Sequence, residues 1–86
     1  MDNDITVYGT ETCHDTRRSR QHLEERGIDY QFVDIDEDGG AEQRVVEWGE
    51  GKRKIPVIEI SRNGESHRIT EPSNDELDRA LSSKAA

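Results

Sequence analysis

The stretch ITVYGTETCHDT, residues 5–16, carries the information on which the prediction of the fold depends. Its first four residues are β-branched or aromatic, which is typical of a strand. A glycine and a threonine interrupt that pattern, and a polar helix is predicted over residues 14–26, with Gly27 after its last turn. Cys13, the only cysteine of the chain, therefore lies where a strand passes into a helix.

The remaining sequence predicts further strands and helices in alternation. The predicted elements are strands over residues 30–35, 55–60 and 66–69, a short helix over 41–48, and a last helix after Ser73. Asn63-Gly64 predicts a two-residue hairpin turn, and Ser73 with Glu76 has the pattern of a capping box. The order β-α-β-α-β-β-α predicts an α/β fold, a four-stranded mixed sheet with helices on both faces.

Composition limits the function classes. The 86 residues fit a single domain, residues 1–86, and we expect the tail over 82–86 to fray. A net charge of −8 argues against a nucleic-acid partner. No apolar run approaches the length of a membrane span, and the N-terminus lacks a signal-peptide core. A lone cysteine excludes an internal disulfide and a Cys-x-x-Cys zinc site. We expect a cytoplasmic monomer that binds no membrane.

The position of Cys13 suggests a reactive thiol. The free N–H groups and the dipole at the start of a helix favour an anion, and so favour thiolate over thiol. A thiolate is the species that attacks a disulfide sulfur. The alternative is a buried, inert cysteine. The polar neighbours Glu11, His14 and Asp15 indicate an exposed loop and favour the functional interpretation.

Three segments resemble the glutaredoxin family in order and spacing, and the resemblance covers residues 5–81. They are VYGTETCHDT over 7–16, KIPV over 54–57 and ITEPSNDEL over 69–77. The first is similar to the family's active-site segment, and the second to its Thr-Val-Pro segment, whose proline is cis and faces the cysteine. The third resembles the Thr-Asn-Pro-Ser segment of mycoredoxins and related bacterial proteins. The resemblance implies a thioredoxin-like fold and a thiol–disulfide oxidoreductase.

The resemblance also implies roles for individual residues. Cys13 and Thr16 take the catalytic positions, although dithiol members have a second cysteine in place of Thr16. A monothiol route remains, and the Thr16 hydroxyl is expected to donate a hydrogen bond to the Cys13 thiolate. The implied co-substrate is a low-molecular-weight thiol such as glutathione, mycothiol or bacillithiol. The implied substrates are mixed disulfides of proteins with that thiol, and we expect no metal and no tightly bound cofactor.

A wider set of residues is expected to contact the small thiol. It comprises Tyr8, Thr10, Arg17, Lys54, Ile55, Pro56, Thr70, Glu71, Ser73 and Asn74. Basic residues within 17–20 and 52–54 predict a positive surface beside the cysteine, the alternative being side chains paired with Glu24, Glu25 and Glu50. Thr10 replaces a lysine that is frequent in glutaredoxins, and Ile55 replaces the usual threonine.

Two other functions remain open from the sequence. One is an iron–sulfur carrier, which some monothiol glutaredoxins are, although their Cys-Gly-Phe-Ser signature differs from residues 13–16 here. The other is a binding domain of the same fold that has lost catalysis, which the departures at positions 10, 16 and 55 would allow.

Overall fold

The computed structural model describes residues 4–82. Its elements are β1 (Asp4–Gly9), α1 (His14–Glu25), β2 (Gln31–Asp34), α2 (Gly39–Trp48), β3 (Val57–Arg62), β4 (Glu65–Thr70) and α3 (Asn74–Ser82). This order confirms the predicted β-α-β-α-β-β-α sequence. The tail that was expected to fray lies, from residue 83 onwards, outside the described residues.

The four strands form one mixed sheet in the order β2-β1-β3-β4. The pair β1–β2 is parallel because α1 crosses between them, and the other two pairs are antiparallel. Asn63 and Gly64 have φ values of 55° and 84°, as a two-residue turn of type I′ requires. Arg62 pairs with Glu65 across that turn, which confirms the predicted hairpin.

The helices cover both faces of the sheet because successive strand residues point to opposite sides. On one face Ile5 and Val7 pack with Leu23 of α1 and Leu77 of α3. The opposite face packs against α2 through a second cluster. That cluster consists of Tyr8, Ile35, Ala41, Val45 and Val57. The prediction of helices on both faces is confirmed.

Two predicted starts differ from the structure by two residues, and the other starts differ by one residue or none. The third strand was predicted to begin at Ile55, but pairing with β1 begins at Val57, and the cis Ile55–Pro56 peptide lies before the strand. The helix α2 begins at Gly39, two residues earlier than predicted. Asp38 explains this start, since its side chain accepts a hydrogen bond from the Ala41 N–H at 3.0 Å.

The predicted helix caps are confirmed. Gly27 follows α1 with a φ of 69°, the left-handed conformation that glycine adopts without steric cost. At α3, the Ser73 N–H donates to Glu76 Oε1 at 2.8 Å, and the Glu76 N–H donates to Ser73 Oγ at 3.1 Å. This reciprocal pair is the capping box. Across residues 4–82 every helix is too short or too polar to cross a bilayer.

Candidate active site

The strand register brings the three sequence segments to one end of the sheet. Tyr8 pairs with Val57, which in turn pairs with Thr70. Because β3 is antiparallel to both neighbours, this end holds the last residues of β1, the first of β3 and the last of β4. The loop that leads to Cys13, the residues before β3 and the residues after β4 are therefore neighbours.

Cys13 is the N-cap residue of α1 and is partly exposed. Its backbone is extended, with φ −78° and ψ 124°, and its carbonyl accepts a hydrogen bond from the Arg17 N–H at 3.0 Å. Its own N–H donates to the Thr10 carbonyl at 3.4 Å. The side chain makes no capping hydrogen bond, so the sulfur is not engaged in holding the helix start. The free thiol is therefore accessible at the N-terminus of α1.

Thr16 lies one turn further along α1 and is fully buried. Its Oγ1 has no hydrogen-bond partner among residues 4–82, so the expected hydrogen bond to Cys13 is not formed in this structure. The reason is that Thr16 packs against Gly9 of β1. A Cβ added at Gly9 would lie 2.4 Å from Thr16 Oγ1, so the glycine is what allows α1 to approach the strand. The sequence had indicated Gly9 only as the end of the strand.

The segment before β3 has the cis peptide that the resemblance implied. The Ile55–Pro56 peptide is cis, and Pro56 is buried. The Pro56 carbonyl accepts a hydrogen bond from the Glu71 N–H at 2.8 Å. Since the ladder with β1 begins only at Val57, the backbone of Ile55 lies outside it.

The segment before α3 is held by several backbone contacts. Glu71 has a φ of 50°, an uncommon conformation for a residue other than glycine, and its side chain is exposed. Ser73 Oγ is bonded to the Glu76 N–H, so this hydroxyl is already engaged. The N–H groups of Asn74 and Asp75 precede the first hydrogen bond within the helix, which is where an anion is stabilised.

Tyr8 and Thr10, both expected to contact the small thiol, are buried, with 7% and 5% of their surface exposed. The Tyr8 ring packs edge-on against Trp48, with centroids 5.3 Å apart. Direct contact of either Tyr8 or Thr10 with a small thiol stays a prediction.

Three of the six basic residues beside the motifs contact other groups in the structure. Arg53 pairs with Asp36 at 2.6 Å and with Glu42 at 3.1 Å. The guanidinium of Arg20 lies over the Phe32 ring, with its carbon 3.9 Å from the ring centroid. These partners are not the glutamates that the alternative interpretation had named.

The third of these residues, Arg18, contacts two groups within the candidate site. It pairs with Asp15 at 3.0 Å and donates from Nη2 to the Pro72 carbonyl at 3.2 Å. Arg17, Lys52 and Lys54 are exposed and have no ion-pair partner among residues 4–82. The predicted positive surface is therefore reduced to these three side chains. Sequence reasoning did not find the Arg18 contact, because its two ends are 54 residues apart.

Two titratable groups are perturbed away from the cysteine. The hydrogen bond with His22, at 2.7 Å, lowers the pKa of Asp78 below its ordinary value and links α1 to α3. Burial, followed by the hydrogen bond to Glu24, raises the pKa of Tyr30. Among the described residues no three His, Cys, Asp or Glu side chains are grouped as a metal site.

Comparison with known sequences gives two matches. The family model Glutaredoxin matches residues 5–66. N-acetyl-S-hydroxy-L-cysteine reductase of Bacillus subtilis (strain 168) is 30% identical over 81 residues, which cover 94% of this chain and 86% of that protein.

Solved structures share the fold at lower sequence identity. Glutaredoxin (grx-1) from Archaeoglobus fulgidus is similar with a TM-score of 0.67 and 20% identity, over 93% of this chain and 87% of that one. The glutaredoxin-like protein NrdH-redoxin from Escherichia coli is similar with a TM-score of 0.66 and 22% identity, over 88% and 92% of the two chains. These likenesses establish the thioredoxin-like arrangement that the sequence predicted.

Proposed function

Because the chain belongs to the glutaredoxin family of thiol–disulfide oxidoreductases, we propose that it reduces mixed disulfides of a low-molecular-weight thiol through Cys13 alone. The observation that carries this proposal is the state of that cysteine. It is the only cysteine in the sequence, it is partly exposed at the N-terminus of α1, and its side chain is not used as a cap. A resolving thiol must therefore come from another molecule.

The reaction has two exchange steps. In the first, the Cys13 thiolate attacks the small thiol's sulfur in a protein mixed disulfide. A disulfide forms between Cys13 and the small thiol, the original S–S bond breaks, and the protein leaves as a thiolate. In the second, a further small-thiol thiolate attacks the sulfur of the small thiol that is bound to Cys13. A disulfide of two small thiols leaves, and the Cys13 thiolate is regenerated.

Different residues around Cys13 would bind different groups of the small thiol. The backbone of Ile55, ahead of the cis Pro56, is available to pair with a peptide-like thiol. The N–H groups at the start of α3, with Thr70 and Glu71 before them, would hold a carboxylate. Arg17 and Lys54 carry positive charge without an acidic partner in residues 4–82, which attracts an anionic co-substrate to an acidic protein.

Several low-molecular-weight thiols fit the proposed reaction. Glutathione, mycothiol and bacillithiol are each candidates, and none is expected to remain tightly bound between turnovers.

The proposed role of Thr16 is packing that sets the position of α1 against β1, because its hydroxyl does not reach the sulfur in this structure.

A second candidate substrate follows from the relative whose name is N-acetyl-S-hydroxy-L-cysteine reductase. By analogy, the substrate here would be a small S-hydroxylated cysteine derivative, a sulfenic acid. The Cys13 thiolate would attack its sulfur, hydroxide would leave, and a disulfide between Cys13 and the substrate would form. A small-thiol thiolate would then attack the Cys13 sulfur, the reduced substrate would leave as a thiolate, and the second exchange step would regenerate Cys13. Both candidates therefore use the same sulfur and the same final step.

The test is a turnover assay on purified protein. Mixed-disulfide and sulfenic-acid substrates are each offered with a panel of small thiols, and wild type is compared with Cys13→Ser. The control is Asp29→Asn, an exposed change before β2, at the end of the sheet away from Cys13. We expect turnover in wild type and Asp29→Asn and none in Cys13→Ser. Equal rates in Cys13→Ser and wild type would refute the proposal.

A further inference from the structure

Arg18 joins two parts of the candidate site that are far apart in sequence. Its Nη1 donates to Asp15 Oδ1 at 3.0 Å, in the first turn of the helix that Cys13 caps. Its Nη2 donates to the Pro72 carbonyl at 3.2 Å, one residue before the capping serine of α3. We infer that Arg18 is a positioning residue, which fixes the segment before α3 at a set distance from the Cys13 sulfur. This inference rests on the proposed function.

The segment that Arg18 holds has contacts at three points. Glu71, in the left-handed conformation, is tied to the Pro56 carbonyl. Ser73 is tied to α3 through the capping box. Between them, the buried Pro72 is tied to α1 by Arg18. Of these contacts, that of Arg18 reaches the helix that carries the reactive cysteine, so with the His22–Asp78 hydrogen bond it sets the distance from the thiolate to the N–H groups at the start of α3.

The geometry requires an arginine. A guanidinium presents several N–H groups in a fixed plane, and two of them are used here for two acceptors at once. Asp15 orients the group from within its own helix, at a spacing of three residues. The ion pair itself is about half exposed, with 45% and 47% of the two side chains accessible, so it adds little to overall stability. The ion pair with Asp15 matters because it holds the Arg18 guanidinium where it can bind the Pro72 carbonyl.

The test compares Arg18→Ala and Arg18→Lys with Arg79→Ala, which removes the same charge from an exposed position on α3. Three quantities are measured on the intact protein. They are the KM for the small thiol that best supports wild-type turnover, the iodoacetamide alkylation rate of Cys13 as a function of pH, and the hydrogen-exchange rate of the Glu71 amide.

We expect both Arg18 variants to raise the KM about two- to tenfold, the range that loss of one hydrogen bond allows. The Glu71 amide should exchange several-fold faster, and the alkylation profile of Cys13 should not change. Lysine should fail to rescue because its ammonium lacks the planar pair of donors.

Two results would overturn the inference while leaving the proposed function intact. The first is that the wild type is active, but the Arg18 variants have the same KM and the same Glu71 amide exchange rate as Arg79→Ala. The other is an alkylation rate that falls by the same factor as kcat/KM, which would mean that Arg18 acts on the sulfur itself. A wild type without turnover on any thiol would refute the proposed function and this inference together.

Discussion

Replacing Gly9 by alanine should destabilise the fold by forcing α1 away from β1. The added Cβ would lie 2.4 Å from Thr16 Oγ1, 2.7 Å from Cγ2 and 3.1 Å from Cβ. Thr16 is fully buried, so it has no open space into which to move. Overpacking of this kind costs about 1–3 kcal/mol. Because alanine also restricts the unfolded chain, the net loss in free energy of unfolding is expected to be about 1–2 kcal/mol.

The assay is urea unfolding followed by far-ultraviolet circular dichroism, with Gly39→Ala as the matched control. Gly39 begins α2, has no atom within 4 Å of an added Cβ, and should tolerate alanine without loss. Thr16→Ala removes the two atoms that clash most closely, so Gly9→Ala/Thr16→Ala should be more stable than the sum of the single changes predicts. A coupling of about 1 kcal/mol is expected for residues in direct contact.

The same reasoning fails if Gly9→Ala unfolds at the same urea concentration as wild type and Gly39→Ala. It fails equally if the double-mutant cycle shows no coupling between the two positions. Either result would mean that α1 adjusts to the extra methyl group without cost, and that Gly9 does not set its distance from the strand.

Three further changes test the site and the packing around it. Thr16→Cys should create a second thiol that forms a disulfide with Cys13 on mild oxidation, which leaves no free thiol. The wild type, with one cysteine, forms no internal disulfide under the same conditions. Two thiols that stay free in the variant would contradict the placement of positions 13 and 16 in the first turn of α1. Asp78→Asn should lower the urea midpoint at pH 7, because the hydrogen bond with His22 lowers the pKa of Asp78. A carboxyl with a lowered pKa stabilises the fold above its unfolded value of 3.8 and loses that contribution on acidification, so the difference between the two proteins should shrink as the pH falls below 3.8. A difference that stays constant would argue against the pair. Leu23→Ala, at a fully buried position between α1 and the sheet, should cost about 2–5 kcal/mol in urea unfolding, and a smaller loss would indicate that the core collapses around the vacancy.

Local patterns in the sequence predicted the elements and several caps. Asn63-Gly64 gave the hairpin because both residues must adopt positive φ, and few other pairs do so without strain. Ser73 and Glu76 gave the start of α3 because their side chains can satisfy the first N–H groups. The errors are at boundaries such as Val57, where pairing with another strand decides the first residue of a strand.

The candidate site was predicted in its parts but not in its contacts. The resemblance of three segments identified Cys13 and the cis Pro56, and the register explains why they meet at one end of the sheet. Composition does not reveal the burial of Tyr8 and Thr10 or the pairing of basic residues. Nor does it reveal that the Thr16 hydroxyl has no hydrogen-bond partner among residues 4–82. Each depends on which side chains approach from elements distant in the chain.

The sequence by itself determined that a lone cysteine stands between a strand and a helix, because periodicity, glycine and turn residues act over a few neighbouring positions. It also determined, through those local signals, the order of strands and helices. Tertiary structure alone decided which basic side chains have no ion-pair partner within residues 4–82, how closely α1 approaches Gly9, and that Arg18 reaches Pro72. These features depend on distances between residues that only the folded sheet brings together, and no local pattern encodes such distances.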